Sequence, residues 1–422
     1  MPRLAEIAGV VILGGAFVQV TLGAYGSIRR RAIESQQQRQ ALTLFEERAR
    51  LDLAATRLER ERRELAWEGL RKFRIAHKVA ETPDICSFYL VPHDHKPIPA
   101  FRPGQFLTFQ LRIPGQSRPV TRCYSLSDSP LQRDYYRVTI KRLPPPPKEP
   151  NAPPGLVSSF FHSLEEGTLV DVRAPAGNFW LDVHGSRPIV LIAGGVGLTP
   201  LIAMLNTICA GNLRRETWFF YGVRDRQDHA MYDHLQTLAR EHENVRIVVA
   251  YAAPTATCVA GQDYAEKGFL SVDLFKRMLP SSNYEFYLCG PPPMMAVITE
   301  GLAQWGVPDS DVHFEAFGPA SVKRPATAPP EGAAPTQAAA KVGFARGGKA
   351  IDWTEKDGSI LDLAEANGVA IESGCRAGNC GTCETAVREG KVRYLIETGF
   401  KPKDGSCLPC VAVPDGGVVI DA

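Results

Sequence analysis

The sequence predicts a multidomain protein: an N-terminal transmembrane helix and helical stalk, an antiparallel β-barrel, an α/β doubly wound domain and a small α+β domain. Three observations predict this order. An uncharged apolar run begins the chain, short strand patterns broken by Pro and Gly come later, and alternating strand and helix patterns follow them. A chain of 422 residues is also too long for one hydrophobic core. The predicted segments are the transmembrane anchor (1–28), the helical stalk (29–72), the β-barrel (73–183), the doubly wound domain (184–319), a linker rich in Pro and Ala (320–340) and the α+β domain (341–422).

The first segment has the composition of a membrane anchor. Ile7–Tyr25 carries no charge and is rich in Val, Ile, Leu, Ala, Gly and Phe, and its length is close to the ~20 residues that a bilayer core requires. Arg29, Arg30 and Arg31 follow at once, which predicts a single-pass protein of the inner membrane with cytoplasmic catalytic domains. A cleaved signal peptide is the alternative, but no A-x-A site is evident.

The second segment is predicted to be a charged helical stalk. Residues 32–72 contain no Pro and are rich in Gln, Glu, Arg, Leu and Ala. Leucine recurs every seven residues at Leu44, Leu51, Leu58 and Leu65, while the companion positions alternate between Ala and Arg. Half a heptad pattern leaves two interpretations, a stalk below the catalytic domains or a coiled coil that forms a homodimer.

Two motifs in residues 73–183 suit a phosphate-bearing aromatic ligand. In Arg122-Cys-Tyr-Ser125, a guanidinium can meet two phosphate oxygens, an aromatic ring can stack, and a hydroxyl can reach a ring nitrogen. Gly155-Leu-Val-Ser158 follows a Pro-rich loop and precedes Ser159-Phe-Phe-His, which predicts a helix N-terminus facing phosphate. An ordinary capped helix is the alternative for the second motif.

The doubly wound domain is predicted to carry a second phosphate cradle. A Gly-rich turn, Gly194-Gly-Val-Gly-Leu-Thr-Pro200, comes directly after the apolar strand Ile189–Ala193. Its glycines permit close approach of the backbone, and Pro200 suits a first helical turn. Cys289-Gly-Pro-Pro-Pro-Met-Met295 also follows a strand, so Cys289 should lie at the carboxyl edge of the sheet, where ligands bind. Glu315-Ala-Phe-Gly318 closes the domain.

The last domain carries a cysteine pattern that is typical of an iron-sulfur protein. Cys375, Cys380 and Cys383 have the spacing C-x4-C-x2-C of plant-type [2Fe-2S] ferredoxins. Two bridged irons require four thiolates, and the distal one comes from Cys407 or Cys410. The run from Cys410 to Asp421 resembles the strand that follows the last ligand in plant-type ferredoxins, which favours Cys410. A structural zinc site would instead use paired C-x2-C knuckles.

Charge and cysteine usage exclude other classes of protein. The net charge is +2, and no basic stripe with interleaved aromatics is present, which argues against nucleic acid as a partner. Five of the ten cysteines lie near the predicted cluster. The other five have no framework spacing, which favours a reducing compartment over disulfides; they are Cys86, Cys123, Cys209, Cys258 and Cys289.

Together these motifs resemble the ferredoxin-NADP reductase superfamily. The order barrel, nucleotide domain and α+β ferredoxin-like domain is similar to that of phthalate dioxygenase reductase type oxygenase reductases, and the local strings are similar to the reductase portion of flavohaemoglobins. The resemblance covers Phe73–Ala422 and implies roles for individual residues. Flavin binding is implied for Arg122, Tyr124, Ser125, Gly155, Val157 and Ser158. Nicotinamide nucleotide binding is implied for Gly195, Gly197, Thr199, Cys289 and Gly290. Ser125, Cys289 and Glu315 are expected to flank hydride transfer, and Phe317 to cover the flavin face.

The resemblance implies a relay of electrons from NADH through FAD to a [2Fe-2S] cluster. FAD is favoured over FMN because the insert Leu143–Pro154 and the Gly-Leu-Val-Ser string are similar to those of FAD binders. NADPH stays open, since Arg224 and Arg226 could meet a 2'-phosphate that Asp225 would disfavour. The expected acceptor is a membrane-associated oxygenase or desaturase. A membrane-tethered redox sensor without turnover is the alternative function.

Overall fold

The computed structural model describes residues 56–145, 151–315, 317, 340–376, 378, 380–396, 398 and 400–422. Within residues 65–422 the chain builds three sheets, each with its own hydrophobic core. The arrangement of the three domains agrees with the prediction.

The first sheet is antiparallel and curls into a barrel. Its strands are β1 (Arg71–Ala80), β2 (Ile85–Pro92), β3 (Phe106–Leu111), β4 (Val120–Ser125), β5 (Tyr136–Lys141) and β6 (Leu169–Ala176). They pair in the order β4-β3-β6-β1-β2-β5. An antiparallel bridge between Leu126 and Val138 then joins the two edge strands, so the sheet closes immediately after Ser125.

A short helix and a layer of aromatic rings fill this barrel. Helix α2 (Leu156–Ser163) buries Phe161, whose ring centroid lies 5.0 Å from that of Phe88 and 5.1 Å from that of Phe109. Both contacts are edge-to-face, the geometry that the aromatic quadrupole favours. Tyr124 of β4 joins the same cluster, with its ring centroid 5.4 Å from that of Phe161. The aromatic core of the barrel therefore packs against β4, the strand that carries the Arg-Cys-Tyr-Ser string.

The second sheet is parallel and has helices beside it, as the alternating pattern predicts. Its strands are β7 (Ile189–Gly194), β8 (Thr217–Val223), β9 (Val245–Tyr251), β10 (Glu266–Lys267), β11 (Glu285–Cys289) and β12 (Val312–Glu315). Their order is β10-β9-β8-β7-β11-β12. The helices are α3 (Leu198–Ala210), α4 (Tyr232–Glu241), α5 (Val272–Met278) and α6 (Pro292–Gln304). Every residue of β7 is buried, as expected for a central parallel strand.

The third sheet belongs to the α+β domain. Its strands are β13 (Ala340–Phe344), β14 (Lys349–Trp353), β15 (Thr385–Tyr394), β16 (Ser406–Cys407) and β17 (Ala412–Ile420), in the order β14-β13-β17-β15-β16. Helix α7 (Ile360–Ala366) begins with a capping box in which Ser359 and Asp362 satisfy each other's backbone N–H groups. The cysteine loop connects α7 to β15.

The predicted transmembrane helix and inner-membrane location require correction. In the part of the chain that the structure describes, no helix is long and apolar enough to cross a membrane. The longest helices there, α3 and α6, have 13 residues and span about 20 Å, whereas a bilayer core is about 30 Å thick. The predicted span itself, Ile7–Tyr25, lies outside the described residues.

The described residues include only part of the predicted stalk and part of the predicted linker. Residues 56–65 are helical and form helix α1, but Arg71 and Lys72, predicted to end the stalk, begin strand β1 instead. Trp67 ends the helical run because its indole N–H donates to the carbonyl of Val172 at 3.0 Å, which ties it to the barrel. The predicted linker lies outside the described residues except for Ala340, which begins β13.

Candidate functional site

Three side chains from the ends of three strands meet between the barrel and the parallel sheet. Ser125 ends β4, Cys289 ends β11 and Glu315 ends β12. Because β11 and β12 are parallel neighbours, Cys289 and Glu315 are register partners at the carboxyl edge of the sheet. The Ser125 hydroxyl hydrogen-bonds the Glu315 carboxyl across the domain junction. The structure thus brings together the three residues that were predicted to flank hydride transfer.

The Glu315 carboxyl is shielded from water and only partly satisfied. The residue as a whole is partly exposed, but its Oε2 atom is buried and has no hydrogen-bond partner. Burial raises the pKa of Glu315 to about 8, and the bond from Ser125 offsets only part of that rise. Burial, together with the nearby Glu315, also raises the pKa of the Cys289 thiol. At neutral pH both groups are therefore uncharged, and Glu315 holds a proton.

The buried carboxyl predicts a pH-dependent stability. The folded chain holds a proton on Glu315 between pH 4.5 and about 8, whereas the unfolded chain releases it. The free energy of unfolding of the cofactor-free chain should therefore fall with rising pH across this window, by up to about 1.4 kcal/mol per pH unit. Glu315→Gln should remove this component of the slope.

Thermal unfolding at a series of pH values measures the effect. The matched control is Glu300→Gln, which changes an exposed carboxyl on α6 and should keep the wild-type slope. A Glu315→Gln variant whose midpoint followed pH as the wild type does would contradict the assignment.

The predicted flavin residues occupy two neighbouring parts of the barrel. Arg122 is exposed, and its guanidinium donates to the carbonyl of Thr121 at 2.7 Å. Tyr124 packs in the aromatic cluster, and burial raises the pKa of its hydroxyl. An exposed guanidinium beside a half-buried tyrosine suits a ligand with a phosphate at one end and an aromatic ring system at the other.

The second flavin motif lies at the N-terminus of helix α2, whose N-cap residue is Gly155. The Ser158 hydroxyl donates to the Gly155 carbonyl at 3.1 Å and accepts from the backbone N–H of Leu143 at 3.1 Å. It thus ties the Pro-rich insert to the helix. Val157 is buried in the barrel core. Gly155 lies so close to Leu143 that an added Cβ would come within 2.9 Å of the leucine Cβ.

The glycine turn of the parallel sheet lies against the end of β11. A Cβ on Gly197 would collide with the Cys289 carbonyl, and one on Gly290 with the Met294 side chain. Gly195 has a positive φ of 52° and open space around it. Thr199, in the first turn of α3, donates its hydroxyl to the Val196 carbonyl at 3.1 Å. The backbone N–H groups of this turn therefore lie at the sheet edge beside Cys289, which fits a nucleotide cradle.

The close approach at Gly197 predicts that a methyl group at this position lowers the free energy of unfolding. Gly197→Ala should lower the free energy of unfolding by about 1–3 kcal/mol and weaken NADH binding, because the clash is with backbone. Gly347→Ala is the control, since no heavy atom lies within 4 Å of its added Cβ, and should stay within about 0.5 kcal/mol. Chemical denaturation measures both, and equal losses would contradict the packing argument.

Phe317, the fourth residue expected at the hydride site, lies just beyond β12. Its side chain is 39% exposed, which makes it one of the exposed large apolar residues of the described chain. An aromatic ring at this position can cover a planar ligand, but the structure shows no contact that places it over one.

The cysteine loop brings its thiols together in two pairs. The backbone N–H of Cys375 donates to the Cys380 sulfur at 3.3 Å, and the two thiols also interact. The sulfur atoms of Cys383 and Cys410 lie 3.2 Å apart. Interactions with Cys123 first and with Cys375 second lower the pKa of Cys380. The interaction with Cys410 lowers the pKa of Cys383. Each interaction favours the thiolate form of one partner, which a metal ligand requires, and raises the pKa of the other, as Cys383 does for Cys410.

The distal cysteine that joins this loop is Cys410. Cys407 is fully buried in the core of the α+β domain, and burial raises the pKa of its thiol to about 12. Gly374 is required for the loop to close, since an added Cβ would lie 2.9 Å from the Cys380 sulfur. The two pairs of thiols, Cys375 with Cys380 and Cys383 with Cys410, match the number of ligands that two irons require.

The paired thiols are consistent with the spacing argument for a [2Fe-2S] cluster, whereas zinc in a structural site would draw four ligands onto one centre.

The loop after β8 bears on the choice of nucleotide. Asp225 has a buried carboxylate that accepts from the backbone N–H of Gln227 at 2.9 Å and from the Arg224 Nε at 3.3 Å. The Arg226 guanidinium lies over the Tyr232 ring, 3.7 Å from its centroid. One arginine is therefore paired with the carboxylate and the other is stacked on an aromatic ring.

Three family models match successive parts of the chain. An oxidoreductase FAD-binding domain matches residues 72–180, an oxidoreductase NAD-binding domain matches residues 191–300, and a 2Fe-2S iron-sulfur cluster binding domain matches residues 347–415. The FAD match contains β1 to β6, the NAD match contains the glycine turn and Cys289, and the 2Fe-2S match contains all four paired thiols.

Known proteins show similarity over the same regions. The flavohemoprotein of Halalkalibacterium halodurans is 40% identical over 255 residues, which are 60% of this chain and 61% of that protein. The chain thus spans about three fifths of the length of the curated relatives it matches.

Two solved structures extend the comparison. The flavohem-like FAD/NAD-binding domain of nitric oxide dioxygenase from Vibrio cholerae O1 biovar El Tor is 30% identical, with 60% of this chain and all of that chain covered and a TM-score of 0.53. Phthalate dioxygenase reductase is 25% identical, with 84% of this chain and 98% of that chain covered and a TM-score of 0.51.

Sequence reasoning missed one residue of this site. Cys123 lies between Arg122 and Tyr124 in the flavin string, and it had been grouped with the scattered cysteines. The structure places its thiol close enough to Cys380 to interact with it. Its position inside the Arg-x-Tyr-Ser string gave no signal, because the contact joins two domains that are far apart in sequence.

Proposed function

Because this chain belongs to the ferredoxin-NADP reductase superfamily, with FAD-binding, NAD-binding and [2Fe-2S] domains, we propose that it passes electrons from NADH to a protein acceptor. Bound FAD would supply hydride acceptance from NADH, and a bound [2Fe-2S] cluster would supply transfer of single electrons. The protein binds and orients these groups and controls the charge around them. Arg122 and Tyr124 would hold the flavin, and the turn Gly195–Gly197 with Gly290 would hold the nucleotide.

One observation carries the proposal. Ser125 of the barrel and Glu315 of the parallel sheet are hydrogen-bonded at the junction where the flavin motif and the nucleotide cradle converge. Cys289 is the register partner of Glu315. A buried, protonated carboxyl linked to a hydroxyl can hold a proton near the reacting atoms, while the neutral Cys289 thiol can orient the nicotinamide without adding charge.

We infer a preference for NADH over NADPH. The buried Asp225 carboxylate lies in the loop that meets the adenosine ribose in doubly wound domains. The Asp225 carboxylate would repel a 2'-phosphate. Because the Arg224 guanidinium is already paired with Asp225, its attraction for that phosphate would be weaker. The ratio of kcat/KM for the two nucleotides should favour NADH, and Asp225→Ser should raise the value for NADPH.

The acceptor is proposed from the chemistry of the cluster. A [2Fe-2S] centre delivers one electron at a time, which suits an oxygenase or another metalloprotein that takes electrons singly. Phthalate dioxygenase reductase, a modular structure for electron transfer from pyridine nucleotides to [2Fe-2S], is similar over most of this chain. An oxygenase component is therefore the acceptor class proposed here.

Anaerobic stopped-flow spectroscopy tests the function. NADH should bleach the flavin band first and the cluster band afterwards, and cytochrome c should then be reduced over many turnovers. A redox sensor would instead show slow reduction without turnover. Failure of NADH to bleach the flavin in a chain that retains both chromophores would overturn the proposal.

A further inference from the structure

Strand β4 presents different residues to its two sides. Successive side chains of a strand point to opposite faces, so Cys123 and Tyr124 face away from each other. Tyr124 packs into the aromatic cluster of the barrel. Cys123 is the register partner of Thr108 on β3, and the Thr108 oxygen lies 3.4 Å from the Cys123 sulfur. Thr108 is only 2% exposed, so this outer face of the barrel is covered.

The cysteine loop of the third domain covers this face. The Cys123 thiol lies close enough to Cys380 and Cys375 to interact with both. A separate observation places the same loop here. Gln116–Arg122 lines one wall of a surface groove, and Glu372 and Ser373, which directly precede the cysteine loop, line the other. The groove and the proximity of the thiols both place the loop beside β4.

Donor and acceptor roles follow from the chemistry of the ligands. A ligating Cys380 is a thiolate and can only accept a hydrogen bond, so the Cys123 S–H must be the donor. The Thr108 hydroxyl then donates to the Cys123 sulfur and fixes the direction of its S–H bond. Cys123 stands outside the set of four ligands, which the loop and Cys410 already complete.

We propose that Cys123 is a positioning residue for the cluster: its thiol donates an S–H···S hydrogen bond to the Cys380 ligand and holds the cluster loop on the flavin-binding strand. This inference rests on the proposed function. Reduction adds a negative charge to the cluster, and a hydrogen bond to a ligand sulfur stabilises that charge. Cys123 should therefore raise the reduction potential of the cluster while keeping it beside the strand that holds the flavin.

Two substitutions separate the hydrogen bond from packing. Cys123→Ala removes the donor, and Cys123→Ser keeps a donor of similar size. Cys258→Ser is the control, because Cys258 lies in the nucleotide domain and bonds Thr255 rather than a cluster ligand. The measurement is the midpoint potential of the cluster in the full-length holoprotein, by spectroelectrochemical titration with mediators, with iron content and the EPR spectrum of the reduced state recorded in parallel.

We expect a more negative potential for Cys123→Ala, a potential near that of the wild type for Cys123→Ser and no change for Cys258→Ser, all with wild-type iron content. An unchanged potential in Cys123→Ala would overturn the proposal. Loss of iron in the same variant would overturn it too, since Cys123 would then be a ligand. The electrode reduces the cluster without NADH, so this outcome is independent of whether the proposed function holds.

Discussion

Replacing Cys410 by alanine is expected to abolish the [2Fe-2S] cluster while the flavin site remains intact. The Cys410 sulfur lies 3.2 Å from that of Cys383, so its loss removes half of one thiol pair. The loss should exceed the ~10–100-fold effect on metal affinity that is typical of a change beyond the ligands. Bleaching of the flavin by NADH should persist, because Ser125, Cys289 and Glu315 lie in other domains.

Cys407→Ala is the matched control, since Cys407 is three residues away but belongs to the hydrophobic core. This variant should lose some stability and keep its cluster. Iron per chain, visible absorption and the rates of ferricyanide and cytochrome c reduction distinguish the two. Cytochrome c reduction should collapse only in Cys410→Ala. A cluster that survived in Cys410→Ala and vanished in Cys407→Ala would reverse the ligand assignment.

The second large effect is expected at Ser125. Among the contacts described for the Glu315 carboxyl, one hydrogen bond links it to the barrel, and Ser125→Ala removes that bond. The buried protonated carboxyl is then left without a partner. Hydrogen-bonded acid–base groups at a reacting centre contribute about 10²–10⁴-fold to rates. We expect the rate constant of flavin reduction by NADH to fall by about 100-fold, with little change in flavin content.

The control for this experiment is Ser129→Ala, which removes a buried hydroxyl that accepts from the backbone N–H of Leu131 at 3.2 Å and lies outside the site. Single-turnover stopped-flow measurements at saturating NADH isolate the rate of hydride transfer from nucleotide binding. A Ser125→Ala variant with the wild-type rate constant would exclude a role for the hydroxyl at the reacting centre.

The parts of the fold that the sequence predicts well are those with local signals. The apolar strand β7 followed by the glycine turn and Pro200 specifies a strand, turn and helix within a dozen residues, and the structure has them there. The C-x4-C-x2-C loop is equally local. The end of the stalk was misplaced because Arg71 and Lys72 continue a charged pattern, while the pairing of β1 with β6, a hundred residues away, decides their conformation.

The candidate site depends on contacts that no local pattern contains. Ser125 and Glu315 were proposed by resemblance, and their hydrogen bond exists only because two domains meet. The proton on Glu315 comes from burial at that junction. Ser158 has a motif that suits phosphate, yet its hydroxyl bonds the Pro-rich insert. In each case a tertiary contact decides what a recognisable residue does.

The two-sided use of β4 makes this strand intolerant of length change. A point mutation at Cys123 or Tyr124 alters one face alone. One inserted or deleted residue would exchange the faces of all residues beyond it, because side chains alternate along the strand. Such a change would turn the thiol into the barrel and the phenol outward, and so uncouple both redox centres in a single step.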